Sequence, residues 1–297
     1  MRILLILLTI ATSISLKSQH FESGYIFPSD YKENSSNKIG KGGLQYLSGS
    51  YTHNISTNID SLGQANMWSA TFSGKYASLD NKDGAKAINP REIINAGAML
   101  THIHSINRKW NIIATAGLSL NATPDYIRYQ NLSITGGIIF MYNINRNLNI
   151  GIGAVTTTAY GEPVIIPAPF ITWKKEGKYN IELNMRGVPE LTISTQINEK
   201  TKITFAPFDM DRYSAVIKVN NDHKLYTQNI FKSRIGASYR FSRHWSAEAN
   251  IGYIYYRTTR IQERSFKSFW KDLFDDDKRH KFSPSGIISI DLRYHIK

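Results

Sequence analysis

The sequence predicts an all-β chain, a single antiparallel transmembrane β-barrel of about 12 to 14 strands with a helical insertion in the last long loop. Three observations predict it. From Leu44 onward, apolar and polar residues alternate with period two, segment after segment, and helical period is nearly absent. Most segments run about ten to fourteen residues, where soluble strands average about 5 to 6 and a tilted bilayer-spanning strand needs about 9 to 11. Aromatic residues also collect at one end of the segments.

The N-terminus comes first. Met1 and Arg2 are followed by an apolar run from Ile3 to Ile14, then by Ser15 and Ser18 ahead of Gln19, the pattern of a secretory signal peptide over residues 1–19. A buried N-terminal helix is the competing reading. The remainder, 20–297, reads as one barrel domain, since no repeat of solenoid period and no low-complexity linker divides it. With no cysteine among 297 residues, a disulfide scaffold, thiolate metal sites and an N-terminal lipid anchor on cysteine are excluded. The net charge of +13 comes from Lys and Arg scattered singly, a distribution that suits a solvated face or an anionic lipid surface and not a nucleic-acid patch.

The strands follow in order. Trp68, Ala70, Phe72, Gly74 and Tyr76 share one face; Trp110 to Leu120, Leu132 to Tyr142 and Leu148 to Ala154 repeat the pattern. Tyr179, Ile181, Leu183 and Met185 alternate with Asn180, Glu182, Asn184 and Arg186, and Trp245 to Tyr255 and Ile288 to Ile296 close the series. Two points stay open: whether Thr201 to Val219, interrupted by Pro207, is one strand or two, and whether Phe21 to Phe27 is a strand. Paired glycines at 42–43 and 136–137, with Gly151 and Gly153, mark bends or close backbone approach.

Trp110 and Trp245 directly follow tight connections, and Tyr142 and Trp173 directly precede them, so Tyr142, Trp110, Trp173 and Trp245 form an aromatic girdle at one interface. Short turns near 107, 145, 176, 199 and 243 are then periplasmic. Longer connections near 79–91, 123–130, 220–228 and 258–283 are extracellular. The last strand runs inward and leaves Lys297 in the periplasm.

Residues 151–169 (GIGAVTTTAYGEPVIIPAP) and 171–194 (ITWKKEGKYNIELNMRGVPELTIS) place a glycine-rich strand before a proline-containing one, then a Lys/Gly turn and a strand ending near a second proline. In these segments the chain resembles an uncharacterised family of bacterial outer-membrane β-barrels carried as a domain of unknown function. The resemblance covers most of residues 40 to 297. It implies the barrel and the cell outer membrane of a Gram-negative bacterium, and brings no catalytic residues. Lys297 after Ile296 departs from the terminal aromatic usual in such barrels, with Tyr294 the nearest substitute.

Candidate chemistry is sparse. The stretch Thr101 to Ser105 (THIHS) invites comparison with lipid-hydrolysing barrels, but its histidines and Ser105 fall on opposite faces at the periplasmic end. As zinc ligands His102 and His104 lack a local third partner. Lumen-facing candidates at strand-centre positions are Glu182, Arg186, Arg234, Arg240 and Glu248. Asp209, Asp211 and Arg212 interrupt the strand near Pro207, either narrowing a pore or forming a bulge at the rim. In the last long loop Phe266, Phe269, Trp270, Leu273 and Phe274 have helical spacing. That helix is an interfacial helix, a plug, a partner-binding element or plain loop packing. Asp275 to Asp277 lack the spaced ligands of a calcium loop and read as compensation for Lys278, Arg279 and Lys281.

The expectation is a porin-like outer-membrane barrel, structural or transporting and more non-enzymatic than enzymatic, without cofactor, metal or catalytic residues. The alternatives are an outer-membrane lipid hydrolase and a soluble secreted β protein. Expected partners are outer-membrane lipids, lipopolysaccharide and the barrel-assembly machinery, with no nucleic acid; no protein partner is specified by the sequence.

Overall fold

The computed structural model describes residues 19–33, 37–61, 64–186, 188–274 and 280–295. The apolar leader, the aspartates at 275–277 and Lys297 lie outside the described residues.

Long alternating segments pair edge to edge and close on themselves. The strands are β1 (Gln19–Glu33), β2 (Asn37–Ile59), β3 (Ala65–Asp83), β4 (Glu92–Ser105), β5 (Trp110–Ala122), β6 (Leu132–Asn143), β7 (Leu148–Thr157) and β8 (Val164–Lys175). They continue with β9 (Asn180–Arg186), β10 (Val188–Gln196), β11 (Thr201–Val219), β12 (Asp222–Arg240), β13 (Trp245–Glu263), β14 (His280–Phe282) and β15 (Ser285–Tyr294). Both β14 and β15 pair with β1 on one side and β13 on the other, so they are two parts of one stave, broken at Pro284. The ring therefore has fourteen staves, all antiparallel. Gln19 and Trp245 both lie opposite Tyr294, which brings the two ends of the described chain to the short-turn rim.

Both open points resolve. Phe21 to Phe27 lies within β1, and Thr201 to Val219 is one strand with a bulge between Ala206 and Asp209. One expected loop is corrected: the region 220–228 is no long connection. There β11 and β12 meet at the two-residue turn Asn220-Asn221, with φ of 49° and 71°, a left-handed pair that asparagine tolerates and that matches strand twist. The connections 79–91 and 258–283 are shorter than expected, because β3 runs on to Asp83 and β13 to Glu263. They carry helices α1 (Gly84–Ile88) and α2 (Phe266–Phe274), the second being the expected helical insertion.

The wall is uneven in height. On one side β2, β3, β11, β12 and β13 have 19 to 23 residues, while β9 and β10 have 7 and 9. The outward positions of the wall are apolar and uncovered: Phe72, Leu118, Ile134, Ile152, Ile165 and Ile251 are each more than half exposed. Burying such a belt requires lipid or another apolar phase. Inside the tall half, an apolar core of Ile26, Leu44, Tyr46, Leu79, Ile93, Tyr213 and Ile254 fills the lumen.

Candidate functional site: an occluded lumen

The lumen is closed by the chain's own wall, and the closure begins at a proline. Leu191 opposite Phe208 is the last pair between β10 and β11. Pro207 donates no hydrogen bond, the bulge follows, and from Asp209 to Val219 strand β11 keeps β12 as its partner on one side only. Its free edge turns across the lumen against β4 and β5. Edge-strand carbonyls buried in this way need donors. Asn95 Nδ2 donates to the Ser214 carbonyl at 2.6 Å, and Asn131 Nδ2 donates to the Val216 carbonyl at 3.0 Å. Ser214 Oγ donates to Asn121 Oδ1 at 3.0 Å. Asn131 is itself fully buried, held by the Arg128 N–H, which donates to its Oδ1 at 2.6 Å. Both faces of upper β11 are consequently packed. Tyr213 and Ala215 join the core of the tall wall, while Val216, with Leu225, packs on Tyr160, Val164 and Phe269.

Below this crossing sits a belt of paired charges. Lys232 is 1% exposed, ion-paired with Asp211 and 3.5 Å from Asp209 Oδ2. Lys75 reaches Asp211 at 3.0 Å from the opposite wall. The Arg234 guanidinium lies 3.0 Å from Asp209, 3.3 Å from Glu22 and 3.9 Å from Asp291. Tyr46 donates to Glu22 at 2.6 Å, and its ring lies where a side chain on Gly24 would stand. Charges so deep require partners, since an isolated one costs several kcal/mol (~) in a low-dielectric interior. His20 Nε2 lies 2.5 Å from Asp291 Oδ1, and Asn250 Nδ2 donates to Asp291 Oδ2 at 2.6 Å. Ligand atoms of His20, Glu22 and Asp291 come within 4.8 Å of one another. Arg234 already lies against both carboxylates, so the chemistry expressed there is ion pairing. Toward the short-turn rim the belt opens into a cavity of about 460 Å³, lined by charged residues including Glu190, Lys232, Arg234 and Arg293, with His295 beside them.

The structure distributes the sequence candidates along this axis. Arg234 and Glu248 point into the lumen, Glu248 buried and 3.8 Å from Arg293. Arg240 ends β12, and Glu182 pairs with Lys174 at 3.4 Å near the short-turn rim, so these two stand at the mouth and not at strand centres. The Arg186 side chain lies outside the described residues. Trp110, Tyr142, Trp173 and Trp245 share the short-turn end: Trp110 stacks obliquely on Tyr142 at 4.8 Å, Trp173 pairs with Leu148, and Trp245 meets Tyr294 edge-on at 5.1 Å. In α2, Phe269 is buried edge-on against Tyr160 at 4.9 Å with Trp270 beside it, while Phe266 is exposed. This geometry packs α2 over the long-loop mouth; the side chains of Leu273 and Phe274 lie outside the described residues.

In the THIHS segment, His102 stacks on Trp68 at 4.2 Å on the outer face, whereas Ser105 points inward and donates to Asn111 Oδ1 at 2.6 Å. No Ser–His pair forms there. The sequence marks Asp209, Asp211 and Arg212 as a break that either narrows a pore or forms a rim bulge; the structure has a bulge between Ala206 and Asp209, and beyond it β11 lies against β4 and β5. Sequence reasoning missed Lys75, Lys232, Glu22 and Asp291, and the asparagines that hold the crossing. The signal available for them was a polar face crowded with opposite charges.

Among solved structures, the COG4313 outer membrane channel from Pseudomonas putida F1 is 8% identical, with 95% of this chain and 96% of that chain covered and a TM-score of 0.43. The transport unit of the autotransporter AIDA-I from Escherichia coli is 9% identical, with 96% and 92% covered and a TM-score of 0.38. The NanC porin is 6% identical, with 94% and 100% covered and a TM-score of 0.35. No curated protein matches the sequence. The model of a family described as a domain of unknown function, DUF6268, matches residues 13–295, and the chain belongs to that family.

Proposed function

We propose that this chain is a Gram-negative outer-membrane barrel with a channel or transport role, captured in a closed state. The observation that carries the reading is the pairing of an uncovered apolar outer wall, edged by Trp110, Tyr142, Trp173 and Trp245, with a charged lumen. The secretory pattern of residues 1–19 supports export, and on this reading lipids and lipopolysaccharide surround the barrel after insertion by the assembly machinery. The short-turn rim faces the periplasm, so the charged cavity is a periplasmic vestibule. Upper β11 separates it from the outside.

Fractionation of expressing cells, followed by denaturing gels with and without boiling, tests the location; outer-membrane enrichment with a heat-dependent mobility shift is the expected result. Recovery in the soluble periplasm would sink it. In planar bilayers the native protein is expected to conduct little, and loosening upper β11 is expected to raise conductance. A wide, constantly open pore in the native protein would contradict the closed lumen.

A further inference from the structure

The charged cavity at the short-turn rim is built with two poles. Its mouth is basic. Arg293, opposite Ser246, is the first inward-facing residue of β15 from that rim, and Arg240 and Lys202 stand at the same ends of β12 and β11. All three cations act electrostatically on His295, which lines the cavity.

Deeper in, the balance reverses. Glu22, Asp209, Asp211 and Asp291 already share Lys75, Lys232 and Arg234, with His20 beside Asp291. Glu190 of β10 adds a further carboxylate to the lining. Among the described residues it has no ion-pair partner, and of the charges around it the like charge of Asp209 acts most strongly, ahead of Arg234, Arg293 and Lys232. Two carboxylates that share a space favour a cation between them.

Two residues of the lining each carry a buried atom without a hydrogen-bond partner. Asp209 is 8% exposed; its Oδ2 lies 3.0 Å from the Arg234 guanidinium but out of line for a hydrogen bond, so an acceptor is left unmet. The second atom is a donor, Arg293 Nε, whose guanidinium makes only a long contact of 3.8 Å with Glu248. Such atoms call for a partner, and here one cavity presents an acceptor of negative charge and a donor of positive charge. Water can bond to either atom, but it brings no charge to the repulsion between Glu190 and Asp209.

The spacing sets a length. Asp209 and Asp291 lie against the same Arg234 guanidinium, and Arg293 stands two residues nearer the rim than Asp291. Two residues of strand advance about 7 Å, which is also the reach of an extended dipeptide. A cavity of about 460 Å³ admits a small molecule of that size and excludes a folded partner.

We propose that this cavity binds a small zwitterion of about dipeptide length, its ammonium between Glu190 and Asp209 and its carboxylate on Arg293. The proposal rests on the transport reading above and names the class of solute for it.

The test is calorimetric titration of the detergent-extracted chain, used only where it shows the heat-dependent gel shift. Four probes are compared: alanyl-alanine, its N-acetyl form with the negative charge alone, its amide with the positive charge alone, and free alanine, whose charges stand too close to span the poles. Alanyl-alanine is expected to bind saturably. Each capped form should bind about tenfold more weakly or worse, the loss of one charge-assisted contact, and alanine about fivefold more weakly. Glu190→Gln should weaken alanyl-alanine about tenfold and leave the N-acetyl form unchanged; Arg293→Gln should do the same with the amide form unchanged.

Equal binding of capped and uncapped forms, or no binding by heat-shifted protein, would overturn the zwitterion site while the barrel stands. Affinity unmoved by Glu190→Gln would overturn the ammonium position. Protein that never shows the shift counts against the membrane barrel itself.

Discussion

The two sides of this barrel solve the same problem differently. From β3 to β7 the wall is a ladder without a register shift, β3 pairing with β4 from Asn66 opposite His104 to Ser78 opposite Glu92. From β8 to β11 the ladder is short and interrupted, and Pro167, Pro169, Pro189 and Pro207 all lie there. Proline subtracts a donor wherever it stands, so its placement decides where pairing can stop without stranding a buried N–H group. The continuous side supplies stability; the interrupted side supplies the lumen crossing. Function in this barrel is written where the ladder is allowed to fail.

The sharpest way to break that contrast is through the ion pairs that tie the crossing to the wall. Replacing Lys232 with Met leaves Asp209 and Asp211 facing each other with Lys75 and Arg234 as the remaining cations. A loss of about 3–5 kcal/mol is expected, the cost of uncompensated buried charge. The temperature at which the folded gel form disappears checks it, and adding Asp211→Asn to the variant should restore part of the loss. An unchanged transition would mean the belt is hydrated enough to dispense with Lys232.

In β1, on the tall side of the wall, Gly24→Ala tests the packing beneath the ion-pair belt. The added methyl meets the Tyr46 ring and displaces the hydroxyl that donates to Glu22. Overpacking of this kind costs about 1–3 kcal/mol. The same gel transition reads it, and Gly24→Ala combined with Tyr46→Leu should lose less than the sum of the two if the ring is the obstacle.

Asn131→Ala separates closure from stability. It removes the donor to the Val216 carbonyl, and that buried acceptor costs about 1–3 kcal/mol when unmet. Single-channel recordings should show more frequent or larger openings than the native protein. Asn145→Ala is the comparison: it loses a side chain that accepts from the Asn147 and Leu148 N–H groups in a turn at the short-turn rim, costs about 1 kcal/mol, and should leave conductance alone. Equal conductance changes in the two variants would dissociate upper β11 from gating.

These variants also mark how far the sequence could be read. Alternation over Leu132 to Tyr142 or Leu148 to Ala154 has one apolar face, because one face meets an apolar phase, and the wall follows from it directly. Upper β11 alternates as well, with Asp209, Asp211 and Tyr213 against Arg212, Ser214 and Val216, but neither face is clean. Period two reports a strand and is silent on whether that strand stands in the wall or across the lumen. Pro207 and the charges flagged the departure; its direction depended on Asn95 and Asn131, residues distant in sequence whose amides look like ordinary lumen lining. The Asn220-Asn221 turn was legible in principle, since adjacent asparagines suit a left-handed pair, and the surrounding polar residues disguised it as loop. The ion-pair belt joins β1, β3, β11, β12 and β15, and no local pattern announces a contact between five strands.

The smallest expected effect asks which phase meets the outer face of β8. Pro167→Ala restores a backbone N–H aimed away from β7, so no ladder bond is gained, and what happens depends on the phase that receives the new donor. In lipid it is unmet and costs about 1–3 kcal/mol; in water it is solvated at little cost. A second contribution comes from the unfolded chain, which gains freedom worth about 0.4–1 kcal/mol when a proline is removed. Pro90→Ala, in the connection between α1 and β4, measures that part separately. A larger loss at 167 than at 90 is expected if lipid lies against β8 at that position. Equal losses would place water, and not lipid, against β8 at Pro167.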